Sequence, residues 1–383
     1  MKKLNSNQRI ILFLIFISII NIFTCSFFYV YIYLKNTKIS NFSNSLLFNK
    51  KYDISFNKEI YYLGLNETID ITITNKKYTK FDIYIENETI ATLNKRQITG
   101  IKNGETEIVI VLPNNKTISS KIYVVKGLVK RPKEFDTEKE YISCQYFSNK
   151  ENKLIDETLV DRMTDVEYPS RASAVEAARF LTLNFNYRIK YFYENGRLNN
   201  YGGKEHVDGE GRYYHKGLYL SESKYNEIST TYAGPAMWGC PLTNITKANG
   251  YGYYVGKKYP NGLDCSGFIS WVLYNGGYDV KDTGAGETNR TDDLYDLGTK
   301  RKINLELLNS NEIKVGDLIA YSGHMAIIVG MDNEHLYIAE SLPHLKGVVT
   351  KKYTKEKAVN NFTHIILMDD LYKNDGKLTN MWY

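Results

Sequence analysis

Cys265 and His324 carry the residue types and the surroundings that nucleophilic chemistry needs. Cys265 stands in GLDCSGFISWVLYNGG (262–277) and His324 in VGDLIAYSGHMAIIVGMD (315–332). A thiolate attacks carbonyl carbon and an imidazole moves the protons, so the pair points to acyl transfer through a covalent intermediate. Ser266 to Asn275 can form a helix with Phe268, Ile269, Val272 and Leu273 apolar, closed by Gly276 and Gly277. A thiol at the start of that helix lies at the positive end of the macrodipole, which favours thiolate. The unpaired N–H groups of a first helical turn can also receive an oxyanion. Gly316 and Asp317 mark a turn before a strand. Gly323 and His324 then open a second strand, rich in Ile and Val, that must be buried.

The motifs DCSGF and GDLIAYSGH, in that order, resemble the NlpC-type cell-wall cysteine endopeptidases over about residues 230–370. The resemblance implies a papain-like α+β fold and cleavage of peptidoglycan stem peptides beside D-glutamate, at the bond to a diamino acid. By matching positions, Cys265 would be the nucleophile and His324 the general base and then the general acid. Asp264 is read as shaping the loop, and no metal or organic cofactor is required. The chain departs from the family at PAMWG (235–239), where Ala236 stands in place of a Tyr that lines the substrate site. It departs again at the third catalytic residue, because Ala339 in HLYIAES (335–341) occupies the place of the family's His.

Glu340 is the candidate for that third role, with His335 or a backbone carbonyl as alternatives. A carboxylate could orient His324 through its other ring nitrogen. Alternate strand residues share a face, so the hairpin loop decides. A two-residue loop at 332–333 pairs 326 with 339 and turns Glu340 away. A three-residue loop, Asp332 to Glu334, pairs 326 with 340 and brings Glu340 to His324's face, and is the favoured expectation.

The elements that must position these residues are read from the rest of the chain. At roughly 100–200 residues per domain, 383 residues suggest two or three folded units. Aromatics at 14% exclude collagen-like and disordered chains. Ile10 to Leu34 is a 25-residue run without a charge, long enough to span a bilayer. Lys2, Lys3 and Arg9 precede it and favour a cytoplasmic amino terminus, and Tyr29, Tyr31 and Tyr33 suit an interfacial belt. A membrane anchor over 1–35 is expected, ahead of a signal peptide or a lipoprotein signal at Cys25, with the remainder outside the cell. Cys144, Cys240 and Cys265 are then an odd number in an exported region, which flags a free thiol and leaves a Cys144–Cys240 disulfide open.

After a linker at 36–49, residues 50–127 read as short alternating strands: 67–74, 81–87, 105–112 and 119–126. This pattern indicates an all-β sandwich and resembles group 2 bacterial Ig-like domains, with Gly100 and Gly104 expected in tight turns. A spacer role is favoured over adhesion. Residues 128–229 read as linker and helical accessory segment. Within them 170–185 is helical, with Ser173 and Glu176 as a capping box and Ala174, Ala178, Leu181 and Phe185 on one face. His206, Asp208, Glu210 and His215 match no metal-ligand spacing and are read as solvated loop residues. The papain-like α+β domain is expected over 230–375.

Net charge is +6, from 49 basic and 43 acidic residues scattered along the chain, which suits an anionic surface such as membrane or wall polymer. No basic stripe or recognition helix is present, so nucleic acid is not an expected partner. The expected function is a membrane-anchored peptidoglycan endopeptidase. The rivals are a CHAP-like amidase or cross-bridge peptidase, an acyltransferase using the same thiol, and a non-catalytic wall-binding or adhesion protein.

Overall fold

The computed structural model describes residues 53–78, 80–130, 140, 146–191, 217, 232–233, 243–245, 262–280, 284–286, 293–343 and 347–380. The expected anchor at 10–34 lies outside them. Among the described residues no helix is long and apolar enough to cross a membrane.

The amino-terminal region is all-β. Its strands are β1 (Ile54–Phe56), β2 (Ile60–Leu65), β3 (Thr68–Asp70), β4 (Ile73–Asn75), β5 (Asp82–Ile85), β6 (Ala91–Asn94), β7 (Gln97–Gly100), β8 (Gly104–Val111) and β9 (Thr117–Val129). They form a four-stranded sheet in the order β2-β9-β8-β5, a three-stranded sheet β3-β7-β6 and the pair β1-β4. The stretch 67–74, expected as one strand, divides at Ile71 and Thr72: β3 pairs with β7, while β4 pairs with β1. Alternation alone cannot show that a chain changes sheets, since the side-chain period is the same on both sides of the break. Gly100 does not make the expected turn. It ends β7, where an added Cβ would stand 2.6 Å from the Gly64 carbonyl, so its role is close backbone approach.

Helix α1 (Asn149–Asp165) lies in a segment whose polarity concealed it. Ser148 caps it in a reciprocal capping box with Glu151, and Ile155, Leu159 and Met163 recur at helical spacing on its buried face. Across from it, Lys58 reaches Asp161 at 2.9 Å and Arg162 pairs with Glu67. Val125 and Leu128 of β9 share one buried core with Phe147, Ile155 and Leu159. The all-β region, apart from residues 53–55 and 73–79, therefore belongs to the same compact unit as the helices and strands carboxy-terminal to it.

Helix α2 (Arg171–Arg179) continues into a π-helical turn at Phe180–Asn184. Its capping box is Ser170 with Ser173, one turn earlier than expected, and Glu176 is a buried helix residue. Two short strands, β10 (Tyr232–Ala233) and β11 (Thr243–Ile245), pair antiparallel. Helix α3 (Cys265–Asn275) is followed by β12 (Thr299–Lys302), α4 (Leu305–Leu308), β13 (Leu318–Tyr321), β14 (His324–Met331), β15 (His335–Leu342), β16 (Gly347–Thr354), α5 (Lys355–Asn361) and β17 (His364–Leu367). The six strands from β12 to β17 form one antiparallel sheet in the order β12-β17-β13-β14-β15-β16.

Both faces of this sheet are covered. Met325, Ile327, Val329, Tyr337 and Ala339 enter the core that holds α2 and α3. Ala326, Ile328, Leu336, Ile338 and Tyr353 enter the core closed by α4 and α5. Burial on both faces explains why β14 reads as a continuous apolar run instead of an alternating one.

Arg171 ties the first turn of α2 to the end of the chain. It is fully buried, donates to Asp317 at 2.7 Å and to Asp375 at 2.9 Å, pairs with Asp369, and lies 4.6 Å from the Tyr372 ring centroid. Burial raises the Asp317 carboxyl by more than the Arg171 charge lowers it. Removing the guanidinium leaves that carboxyl uncompensated, so Arg171→Ala should lower unfolding stability by about 3–5 kcal/mol in denaturant titration. A change under about 1 kcal/mol, the range of exposed ion pairs, would show that Arg171 is not the lock described.

Candidate active site

The site is built where α3 begins and where β14 leaves its turn. Helix α3 starts at Cys265 because Asp264 caps it: Asp264 Oδ1 accepts from the Gly267 N–H at 2.7 Å and from Ser266 Oγ at 3.2 Å. Phe268, Ile269, Trp271, Val272 and Leu273 are all buried, so the helix is enclosed and its first turn has a fixed position. The loop before it is pinned from the sheet. Ser341 Oγ donates to the Leu263 carbonyl at 2.7 Å, and the Leu263 N–H donates to the Lys190 carbonyl at 3.0 Å.

Cys265 Sγ lies 3.8 Å from the carbonyl oxygen of Gly323, the residue before His324. Gly323 has φ +79° in the tight turn joining β13 to β14, a conformation that suits glycine. Burial pushes the Cys265 thiol up to about 12, and the Asp264 carboxylate adds to this. The backbone N–H groups of Met325, Ser266 and Cys265 pull the other way and do not outweigh it. The helix terminus thus acts in the expected direction, but desolvation of the half-buried thiol and the capping carboxylate prevail.

His324 opens β14 with 3% exposure and Glu340 sits on β15 with 1%. His324 Nε2 is 2.8 Å from Glu340 Oε2. The structure brings them to one face by a route other than the three-residue loop. Asp332 N donates to the His335 carbonyl at 3.0 Å, closing a two-residue loop of Asn333 and Glu334. The ladder then runs Met331 with Leu336 and Gly330 with Tyr337, and shifts by one before Ile328 pairs with Ile338 and Ile327 with Ala339. A β-bulge at Val329 supplies the parity that a longer loop was expected to give.

Glu340 is surrounded by further polar groups. Tyr353 OH donates to Glu340 Oε1 at 3.2 Å, and Lys351 Nζ lies 3.4 Å from the same oxygen and 2.9 Å from Tyr353 OH. The Tyr321 ring stacks on the His324 ring, with centroids 4.7 Å apart and planes 26° from parallel. Tyr321 was legible in YSGH, because a two-residue turn sets it directly opposite His324. Tyr353 and Lys351 lie on β16 and needed the sheet register. His335 is not at this site; its ring meets Asp332 at 3.1 Å in the hairpin turn. Ala339 faces the opposite core.

His206, Asp208, Glu210, His215, Ala236, Cys144 and Cys240 lie outside the described residues. Among the described residues no group of three or more His, Cys, Asp or Glu is arranged to hold a metal ion.

Residues 250–365 match the model of the NlpC/P60 family, a family of cell-wall cysteine peptidases. The match takes in Cys265, His324 and Glu340 and gives the carboxy-terminal part of the chain an NlpC-type domain. No curated protein matches the chain.

The raised thiol has a measurable consequence. Alkylation of Cys265 by iodoacetamide, followed on its own peptide by mass spectrometry, should keep accelerating above pH 9, because burial and the Asp264 carboxylate hold the thiol above its ordinary value. A rate already constant between about pH 6 and 8 would mean that a thiolate–imidazolium pair forms in the resting protein, and would overturn this account.

Proposed function

We propose that this protein is a membrane-anchored peptidoglycan hydrolase, a cysteine endopeptidase that cuts stem peptides between D-glutamate and a diamino acid. The observation that carries the reading is the His324–Glu340 pair at 2.8 Å, in an NlpC-type domain whose helix-terminal thiol lies 3.8 Å from the carbonyl of Gly323, the residue before His324. A carboxylate only accepts hydrogen bonds, so Nε2 of a neutral His324 carries the proton and Nδ1 keeps its lone pair. Nδ1 is then the base for Cys265.

In the first half-reaction Nδ1 takes the Cys265 proton as Sγ bonds to the carbonyl carbon of the stem peptide. The negative charge moves to the carbonyl oxygen, which backbone N–H groups of the first turn of α3 can receive. His324 then gives the proton to the leaving amine, the C–N bond breaks, and an acyl-enzyme remains. In the second half-reaction Nδ1 takes a proton from water, hydroxide adds to the acyl carbon, and the C–S bond breaks. Cys265 leaves as thiol and the product is a carboxylic acid. The thiol's high pKa suits this order, because the proton leaves Cys265 only as the new bond forms.

Glu340 orients the ring and stabilises the imidazolium that forms transiently. Lys351 and Tyr353 hold Glu340 in turn. The charge-free run at 10–34 supports the anchor, with the catalytic domain outside the cell. Strand β9, sharing a core with α1, would help present the catalytic domain to the wall.

Purified peptidoglycan digested with the full-length protein should release fragments cut after D-glutamate, read by mass spectrometry, and Cys265→Ala should release none. Glu340→Gln keeps the side-chain size but loses the charge, and should lower kcat roughly 100- to 10,000-fold. Fragments severed at the sugar–peptide link would replace the reading with an amidase. Walls bound but never cut would replace it with a wall-binding protein.

A further inference from the structure

The β14–β15 hairpin contains one residue more than its register needs. Beside the turn Met331 pairs with Leu336 and Gly330 with Tyr337; beyond it Ile328 pairs with Ile338 and Ile327 with Ala339. Val329 has no partner of its own in the ladder, so Val329 and Gly330 together oppose Tyr337. If the pairing at the turn continued without this bulge, Ile327 would stand opposite Glu340. Glu340 would then face the core of α2 and α3, and His324 would lose it. The bulge is what keeps the two on one face.

A bulge removes one peptide group from the ladder, and in a sheet buried on both faces that group needs another partner. The partner is Arg179, the last residue of α2, itself buried. Its Nε and Nη2 both donate to the Val329 carbonyl, at 2.9 and 2.7 Å. The same guanidinium is fixed from the far side by Thr379: Nη1 donates to Thr379 Oγ1 at 3.1 Å and Nη2 to the Thr379 carbonyl at 2.8 Å. Next along the chain, the Met331 N–H donates to the Asn380 carbonyl at 3.0 Å. The planar fork of Arg can give two parallel donors to one oxygen, which an ammonium cannot reproduce.

We propose that Arg179 is a positioning residue for the catalytic pair, holding the bulge at Val329 and Gly330 and through it the register that brings Glu340 to His324. This rests on the proposed roles of His324 and Glu340. Arg179 holds the backbone of the bulge, and its effect on the pair is transmitted by the parity of one strand.

The test compares R179M, E340Q, the double variant, and R179M with Gly330 deleted, all in the full-length protein labelled with 15N-histidine. Deleting Gly330 removes the extra residue while keeping the pairing at both ends of the hairpin and the Val329 side chain. R179M should shift the His324 ring nitrogens away from the Nε2–H tautomer and lower kcat as much as E340Q does, with KM held. The double variant should match either single variant within about twofold, as expected for residues acting through one contact. Deleting Gly330 in R179M should restore both the His324 signals and kcat.

The proposal is overturned if R179M loses activity or stability while the His324 nitrogen shifts and titration stay as in the parent, which is what a merely structural arginine would give. If R179M does not fold, R179K takes its place; a His324 spectrum there identical to the parent's overturns the proposal equally. An E340Q variant with full kcat would instead sink the catalytic reading, while the His324 signals in R179M still decide whether Arg179 sets the register.

Discussion

Parity along the β14–β15 hairpin is the constraint on which the site depends. His324 and Glu340 are 2.8 Å apart only because an even offset puts both on one face of a sheet whose two faces lead to different cores. One residue more or less between them would turn every side chain of one strand to the other side. The two-residue turn is fixed by Asp332, whose Oδ1 accepts from Glu334 N at 2.8 Å and His335 N at 2.7 Å. Those bonds, with others from Tyr337 and His335, hold the Asp332 carboxyl down to about 2 against the effect of its partial burial. The odd residue is then absorbed at Val329, far enough from the turn to leave the turn regular and close enough to the site to correct it.

The thiol presents a balance of opposing effects. A helix amino terminus and three backbone N–H groups favour thiolate, while burial and the capping carboxylate of Asp264 favour thiol. Asp264 cannot be dispensed with as a cap, since it satisfies the Gly267 N–H and sets where the helix starts. The same carboxylate therefore places the Cys265 thiol and restrains its ionisation. In the proposed mechanism such a thiol gains reactivity from its base at the moment of attack, not from a preformed anion, and a resting thiol resists oxidation better than a thiolate would.

The frame around the site is closed by buried charge. Arg171 gathers Asp317, Asp369 and Asp375 at the start of α2, and Arg179 holds Val329 and Thr379 at its end. One nine-residue helix thus fixes both the carboxy-terminal segment and the hairpin. On its other side, α1 joins the all-β region through Val125, Leu128, Ile155 and Leu159 and through the Arg162–Glu67 pair. The packing of the six-stranded sheet is continuous with that of β9.

Features that local periodicity and chemistry encode could be read from the amino acids alone. The helix beginning at Cys265, its close at Gly276, the strand opened by His324 and the alternating strands of the amino-terminal region are all written in the spacing of apolar residues and turns. Glu340 was legible as a candidate because only two hairpin parities exist. How that parity is reached emerged only in three dimensions. A bulge leaves no mark in an apolar run, and its anchor lies 150 residues away at Arg179. Helix α1 was hidden for a related reason: its buried face is a narrow stripe in a charged segment, and only packing against β9 shows which side faces inward. Tyr353 and Lys351 reach Glu340 from the next strand, so nothing short of the sheet's register could place them. Local patterns fix elements because their energetics are local. Partners across elements are fixed by burial that exists only once the chain has folded.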